Sequence, residues 1–115
     1  MRITSAIFVA SLTRRLFSDG HMAAVEKKGA TEAGAIFIRV VKRDRTQMLL
    51  SPAPQSYFEE KSTFHIFEVR LQNAQEADVD QKLEREKTFD EDIWIVEIET
   101  DQPEEYLDIR YEDDA

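Results

Sequence analysis

The sequence predicts an α+β domain with a mainly antiparallel sheet of about five strands and two helices on one face of the sheet. Two amphipathic helical patterns enclose a middle region of strand patterns, in the order α-β-β-β-β-α-β. Hairpin-like connections dominate that middle region, which favours antiparallel pairing. The chain has 115 residues, and its hydrophobic content of 42% supplies side chains for a core. We therefore expect residues 1–100 to fold as a single domain of ordinary size.

The two helices are predicted from the spacing of apolar residues. Residues 4–18 place apolar side chains at positions i and i+4, and Gly20 follows as a residue typical of a helix end. Residues 74–88 carry a thin apolar stripe formed by Val79 and Leu83. One side of this second helix is therefore expected to pack on the sheet, with its other sides in solvent.

The strands are predicted from runs of β-branched and alternating residues. Segment 35–41 is apolar on both faces, so it is expected to be a central strand. The polar turn 42–45 connects it to the following strand as a hairpin. Prolines at positions 52 and 54 indicate a loop that begins at Ser51. The predicted strands cover residues 22–28, 35–41, 46–50, 63–71 and 93–98.

The end of the chain, residues 101–115, is predicted to be an acidic C-terminal tail. Pro103-Glu104-Glu105 is typical of the first turn of a helix. Residues 107–111 instead alternate in the manner of a strand. The sequence leaves both alternatives open.

The net charge of −9 is unevenly distributed along the chain. Residues 1–50 carry nine Lys and Arg against four Asp and Glu, whereas residues 51–115 carry six against twenty. Overall acidity disfavours binding to nucleic acid, which needs cations to neutralise phosphates. The gradient permits an electrostatic homodimer or a basic protein partner, but we favour the simpler interpretation of a charged surface that keeps the protein in solution.

The absence of cysteine excludes disulfides, thiolate metal sites and cysteine nucleophiles. It also fits a reducing compartment. No apolar run approaches the roughly 18–20 residues that span a bilayer, and the apolar stretch 6–12 lacks the features of a signal peptide. We therefore expect a cytoplasmic protein without a membrane partner.

No motif in the sequence indicates catalysis. The two histidines, His21 and His65, stand far apart and without metal-ligand spacing, so no metal site is predicted. Segment 28–34 has two glycines but matches neither a P-loop nor a dinucleotide-binding pattern. Gly29 and Gly34 are expected to adopt positive φ at turn corners. No catalytic residue and no cofactor are predicted, and enzymatic activity is left open but not favoured.

Three blocks of sequence, residues 28–37, 51–55 and 89–97, together resemble a family of small bacterial proteins about as long as this chain. That family is catalogued only as a domain of unknown function, so the resemblance implies a fold without implying an activity, a cofactor or a site. This chain departs from the family pattern at Asp90-Glu91, where Asp-Pro is usual. The stretch after Asp101 resembles the family least.

Three functional hypotheses follow from the sequence. The leading hypothesis is a small non-enzymatic interaction or accessory module that binds a protein partner or a second copy of itself. The alternative is a small-ligand-binding protein or an enzyme with an unrecognised pocket, in which an arginine of the first helix holds an anionic group. The third is weak association with nucleic acid through the basic first half. The candidate binding residues are Arg14, Arg15, Gln55, Tyr57, Trp94 and Glu97.

Overall fold

Six strands and two helices make up the part of the chain that the computed structural model describes, residues 3–54 and 65–111. The helices are α1 (Ser5–Ser18) and α2 (Glu76–Phe89). The strands are β1 (Ala23–Lys27), β2 (Ile36–Val41), β3 (Gln47–Pro52), β4 (Ile66–Ala74), β5 (Trp94–Glu99) and β6 (Asp108–Arg110). A 3-10 turn, Pro103–Glu105, lies between β5 and β6.

The strands form one mixed sheet in the order β1-β5-β2-β3-β4-β6. Pairs β1–β5, β2–β3 and β3–β4 are antiparallel, whereas β2–β5 and β4–β6 are parallel. The predicted α+β class, the mainly antiparallel sheet and the order of elements are confirmed, with a sixth strand added at the end. β2 is an interior strand, as predicted from its apolar residues on both faces.

The two helices lie on opposite faces of the sheet, so the prediction that both cover one face is wrong. Core residues of α1 pack with Ile38, Val96 and Ile98, whereas those of α2 pack with Phe37 and Ile95. Because the apolar side chains of β2 and β5 point alternately to both faces of the sheet, a helix has to shield each face from water. The helix residues that do so are Val9, Leu12 and Leu16 of α1 and Val79 and Leu83 of α2.

Residues 101–111, here called the C-terminal strap, are part of the domain and not a separate tail. Tyr106 and Leu107 are buried in the α1 core, and β6 pairs in parallel with β4. The helical turn and the strand that the sequence left as alternatives both occur, one after the other. The predicted boundary at residue 100 therefore falls inside a continuous fold. Residues 112–115 lie outside the described part.

Local signals place most element ends close to the predicted positions. The Thr4 side chain caps α1 by accepting a 3.2 Å hydrogen bond from the backbone N–H of Ile7. Gly20 follows α1 with φ of +83°, as a residue after a helix end often does. The loop that the sequence predicts from Ser51 begins later, since Ser51 and Pro52 are the last two residues of β3. Pro52 lies opposite Phe67 of β4.

Candidate functional site

The four candidate binding residues that the structure describes, of the six predicted from the sequence, do not come together in one pocket. Trp94 is 4% exposed and packs in the α1 core. Glu97 lies three positions along β5, so its side chain points to the other face of the sheet. Gln55 and Tyr57 lie outside the described residues. The sheet itself separates Trp94 from Glu97, and a single pocket cannot contain both.

Trp94 fastens the loop before β2 to the start of β5. Its indole Nε1–H donates a 2.8 Å hydrogen bond to the carbonyl oxygen of Ala30, and its backbone N–H donates a 2.7 Å bond to Ala35. The backbone N–H of Ala30 in turn donates to the carbonyl oxygen of Asp92. Two of the three sequence blocks, 28–37 and 89–97, therefore meet in the fold, and Trp94 has a structural role.

Gly29 and Gly34 are needed because the backbone of residues 92–93 approaches them closely. A Cβ atom would lie 2.3 Å from the Asp92 carbonyl oxygen at Gly29 and 2.5 Å from it at Gly34. The expected positive φ at these two glycines is wrong, since among the glycines only Gly20 has it. Their small size, not their backbone freedom, allows the contact.

Arg15 holds the C-terminal strap against α1. Its guanidinium donates hydrogen bonds to the carbonyl oxygens of Glu105 and Tyr106, at 3.1 and 3.3 Å, and lies 5.3 Å from the centre of the Tyr106 ring. The Tyr106 hydroxyl donates to the Asp19 carboxylate, and this bond with burial raises the pKa of Tyr106 to about 12. Arg15 is therefore engaged within the fold, while Arg14 is exposed.

Arg39 is the buried charge of the sheet, and its guanidinium joins four elements. Nε donates to Glu26 of β1 at 2.9 Å, Nη1 donates to Gln47 of β3 at 2.9 Å, and Nη2 donates to Asp80 of α2 at 2.6 Å. The Arg39 side chain is only 8% exposed. Burial works to lower the pKa of Arg39, but the hydrogen bonds and charges of Asp80 and Glu26 raise it above its ordinary value.

A bulge in β1 brings Glu26 to Arg39. Val25 lies opposite Val96 and Lys27 lies opposite Ile95, which leaves Glu26 without a partner residue on β5. A bulge of this kind re-aims side chains locally. Here the Glu26 carboxylate reaches across β5 to Arg39 in β2, and Nζ of Lys27 donates a 3.0 Å hydrogen bond to the Ile93 carbonyl oxygen.

Glu97 lies beside this network without an ion pair of its own among the described residues. It is adjacent to Arg39 in the parallel register of β2 and β5. Burial, and then the negative charges of Glu26, Glu99 and Glu76, raise the pKa of Glu97, although the charge of Arg39 opposes them. Glu97 is therefore a carboxylate that the fold holds among like charges.

We call this surface the acidic face and define it by the carboxylates that surround Arg39 and Glu97. One cation stands among five anions, and Arg39 already uses its hydrogen bonds within the fold. Within residues 3–54 and 65–111, no group of His, Cys, Asp or Glu is arranged to hold a metal ion. The acidic face is suited to hold organic cations. Its members are Glu26, Glu76, Asp80, Glu97 and Glu99.

Sequence reasoning identified Glu97 but missed its neighbours. The available signal was Arg39, a single charged residue within the apolar run of β2. A charge inside such a strand has to find partners, and the strand order then decides which partners it finds. Glu26 and Asp80 are 13 and 41 positions from Arg39 in the chain, so no local pattern links them to it.

The fold and this surface define a small α+β protein with a charged, partly open sheet face. Neither helix in the described part of the chain is long and apolar enough to cross a membrane. The chain belongs to the DUF1491 family, a family of proteins of unknown function, whose model matches residues 3–108. The resemblance expected from the sequence blocks is thereby confirmed. No curated protein matches this chain.

Solved structures of bacterial proteins share this fold over all or nearly all of their length. A solution structure of a protein from A. tumefaciens is 44% identical, with a TM-score of 0.87, and covers 100% of both chains. A crystal structure of a DUF1491 family protein from Caulobacter crescentus is 32% identical, with a TM-score of 0.78, over 94% of this chain and 99% of that one. An NMR structure of a DUF1491 family protein from the same organism has a TM-score of 0.79 and 32% identity, over 96% of this chain and 98% of that one.

Proposed function

We propose that this protein is a small non-enzymatic interaction module that docks a basic protein partner on its acidic face. The observation that carries the proposal is the incomplete cover of this side of the sheet. Helix α2 has most of its contacts with β3 and β4 and also covers Phe37 of β2 and Ile95 of β5, whereas Ala24 and Glu26 of β1 and Glu99 at the end of β5 stay exposed. A strand pair with an open, charged face is a ready surface for a partner.

The chemistry of the partner follows from the charges of this face. Glu97 is partly desolvated among like charges, which costs stability that an approaching ammonium or guanidinium group would restore. Complementary charge also increases the rate of association. The net charge of −9 also attracts a positively charged partner. A partner surface rich in Lys and Arg fits these conditions.

A rigid network supports the acidic face. Arg39 fixes Glu26 and Asp80 by hydrogen bonds of 2.9 and 2.6 Å. Side chains held in this way lose little further freedom when a partner binds. The proposal places this module in the cytoplasm, in line with its cysteine-free composition.

The test compares two double variants that change the net charge equally. Glu76→Gln with Glu97→Gln removes charge from the acidic face, whereas Glu32→Gln with Glu91→Gln removes it elsewhere. An oligolysine peptide is titrated into isotopically labelled protein at about 0.15 M salt, where charges beyond about 8 Å are screened. We expect amide shifts in β1 and β5 that the first double variant loses and the second retains.

Two results would contradict the proposal. The first is equal weakening in both double variants, which would show attraction to net charge alone. The second is the absence of localised shifts in the wild-type protein. Circular dichroism of each variant establishes that it is folded before it is titrated, so that loss of binding is not loss of structure.

A further inference from the structure

A second surface of the molecule is a groove at the carboxyl ends of the parallel strands β2 and β5. It has a volume of about 510 Å³ and is bounded by the β2–β3 turn, by the loop that follows β5 and by His21. Small-molecule sites are commonly about 300–1,000 Å³ in volume. In open α/β sheets, ligands bind in the corresponding place, outside the carboxyl ends of adjacent parallel strands.

The β2–β3 turn supplies three cations to this groove. Lys42, Arg43 and Arg45 line it, and their side chains form no hydrogen bond or ion pair within the described part of the chain. Buried Arg39 and half-exposed Lys87, by contrast, both pair with carboxylates. In a protein of net charge −9, these three cations of one turn line the same groove and remain available to an anion.

The turn that carries these cations is fixed by its own backbone. The Arg45 N–H donates to the Lys42 carbonyl oxygen at 2.9 Å and holds Arg45 at φ of +76°. The Arg43 N–H donates to the Asp101 carboxylate at 2.8 Å. Positive φ at this position is the ordinary geometry of a hairpin loop in which a left-handed residue follows a turn, so the turn holds its cations in a defined backbone conformation.

Asp44, within the same turn, forms its hydrogen bonds with Thr46 and not with the cations. Its Oδ1 accepts from both the hydroxyl and the backbone N–H of Thr46, at 2.7 and 2.9 Å. These two bonds, and more weakly the charge of Lys42, lower the pKa of Asp44.

The groove is also lined by three carboxylates, Glu99, Asp101 and Glu105. Asp101 is held beside the turn, because one of its oxygens accepts the Arg43 N–H. A polyanion such as nucleic acid would be repelled by these carboxylates. A ligand with an anionic group at one end and an ammonium group at the other meets opposite charges for both groups.

We propose that this groove binds a small zwitterion, with its phosphate or carboxylate group on Lys42, Arg43 and Arg45 and its ammonium group on Asp101 and Glu105. This site adjoins the acidic face, with which it shares Glu99, but its anion contacts come from the turn cations and do not depend on docking of a basic partner. It gives the protein a way to bind a small molecule as well as another protein.

The test uses O-phosphoethanolamine as the probe, with inorganic phosphate and ethanolamine as its two halves. We expect the probe to shift the amide signals of residues 42–46 and 100–105. Because the ammonium group adds contacts, the probe should bind more tightly than either half. The double variant Lys42→Gln with Arg45→Asn loses two charge-assisted hydrogen bonds to the probe. It should therefore bind the probe at least about tenfold more weakly than the wild-type protein. Asparagine is chosen because it tolerates positive φ.

The matched control is Lys28→Gln with Lys82→Gln, which removes the same charge at positions outside the groove. This control should bind the probe as the wild-type protein does. The proposal is overturned if the Lys42/Arg45 variant binds the probe as tightly as this control. It is also overturned if the probe produces no localised shifts, or if inorganic phosphate alone binds as tightly as the probe.

Discussion

Nη2 of Arg39 donates a 2.6 Å hydrogen bond to Oδ1 of Asp80, and this ion pair connects the middle of the sheet to α2. The same guanidinium bonds to Glu26 and Gln47, so one side chain joins three strands and a helix. Asp80 is half exposed, with 52% of its side chain accessible, whereas Arg39 is buried. Arg39 thereby links the stability of the fold to the arrangement of the acidic face.

Replacement of Arg39 by Ala should destabilise the protein. Removal of one partner from a buried pair costs about 3–5 kcal/mol when the other stays buried. Because Glu26 and Asp80 keep access to water, we expect a loss of about 2 kcal/mol in the free energy of unfolding. Urea denaturation measures it. Arg70→Ala is the control, since Arg70 makes only long contacts, 4.0 Å to Glu86 and 3.5 Å to the Ser51 hydroxyl; a change of similar size there would refute the argument.

Neutralisation of Glu97 should make the protein more stable at neutral pH. The pKa of Glu97 is raised above 4.5, so the folded state binds this proton more tightly than the unfolded state. The associated stability is present below about pH 4.5 and is lost as the pH rises through the raised pKa. Glu97→Gln should match the wild type in acid and exceed it by about 0.5 kcal/mol at pH 7.

The measurement for Glu97 is a series of urea denaturation curves between pH 4 and pH 7. At each pH we compare the free energy of unfolding of the variant with that of the wild type, because this difference cancels the titration of the other carboxylates. A difference that is independent of pH would show that the glutamine acts through packing and not through charge. Glu91→Gln, an exposed position, serves as the control.

Substitution of Gly29 by Ala should disturb the junction between the β2 loop and β5. The added Cβ would overlap the backbone oxygen of Asp92, and such overpacking costs about 1–3 kcal/mol. Gly20→Ala is the matched comparison, since nothing lies within 4 Å of its Cβ position and only its φ of +83° is unfavourable. Amide signals near Trp94 should move in Gly29→Ala and not in Gly20→Ala; the reverse pattern would contradict a steric role.

Replacement of Tyr106 by Phe should loosen the C-terminal strap from α1. The tyrosine hydroxyl donates to Asp19, and this bond raises its pKa to about 12 from 10.0. A raised pKa means that the stabilisation is present below about pH 10 and is lost as the pH rises to about 12. The variant should be less stable than the wild type at pH 8, and the difference should disappear by pH 12.

Thermal unfolding followed by circular dichroism measures that difference across the pH range. Tyrosinate absorbance gives the titration of Tyr106 directly, by subtraction of the variant from the wild type. A Tyr106 that titrates near 10 would contradict the hydrogen bond to Asp19.

The sequence predicted the elements of this fold well because their signals are local. The spacing of apolar residues located α1 and α2, Gly20 marked the end of α1, and the apolar run of β2 indicated an interior strand. The site was harder to predict, because Arg39 reaches partners on β1 and α2 that no local pattern connects. Trp94 was assigned to a binding pocket, yet its indole bonds to Ala30 inside the fold.

The sequence by itself determined the class of fold, the order of elements and the family. Only the tertiary structure decided that the helices cover opposite faces, that residues 101–111 complete the sheet, and that Gly29 and Gly34 are selected for size. The physical reason is the range of the interactions. The periodicity of a helix or a strand is set by a few neighbouring residues. Packing, close backbone approach and charge pairing instead depend on which strands lie side by side in the sheet.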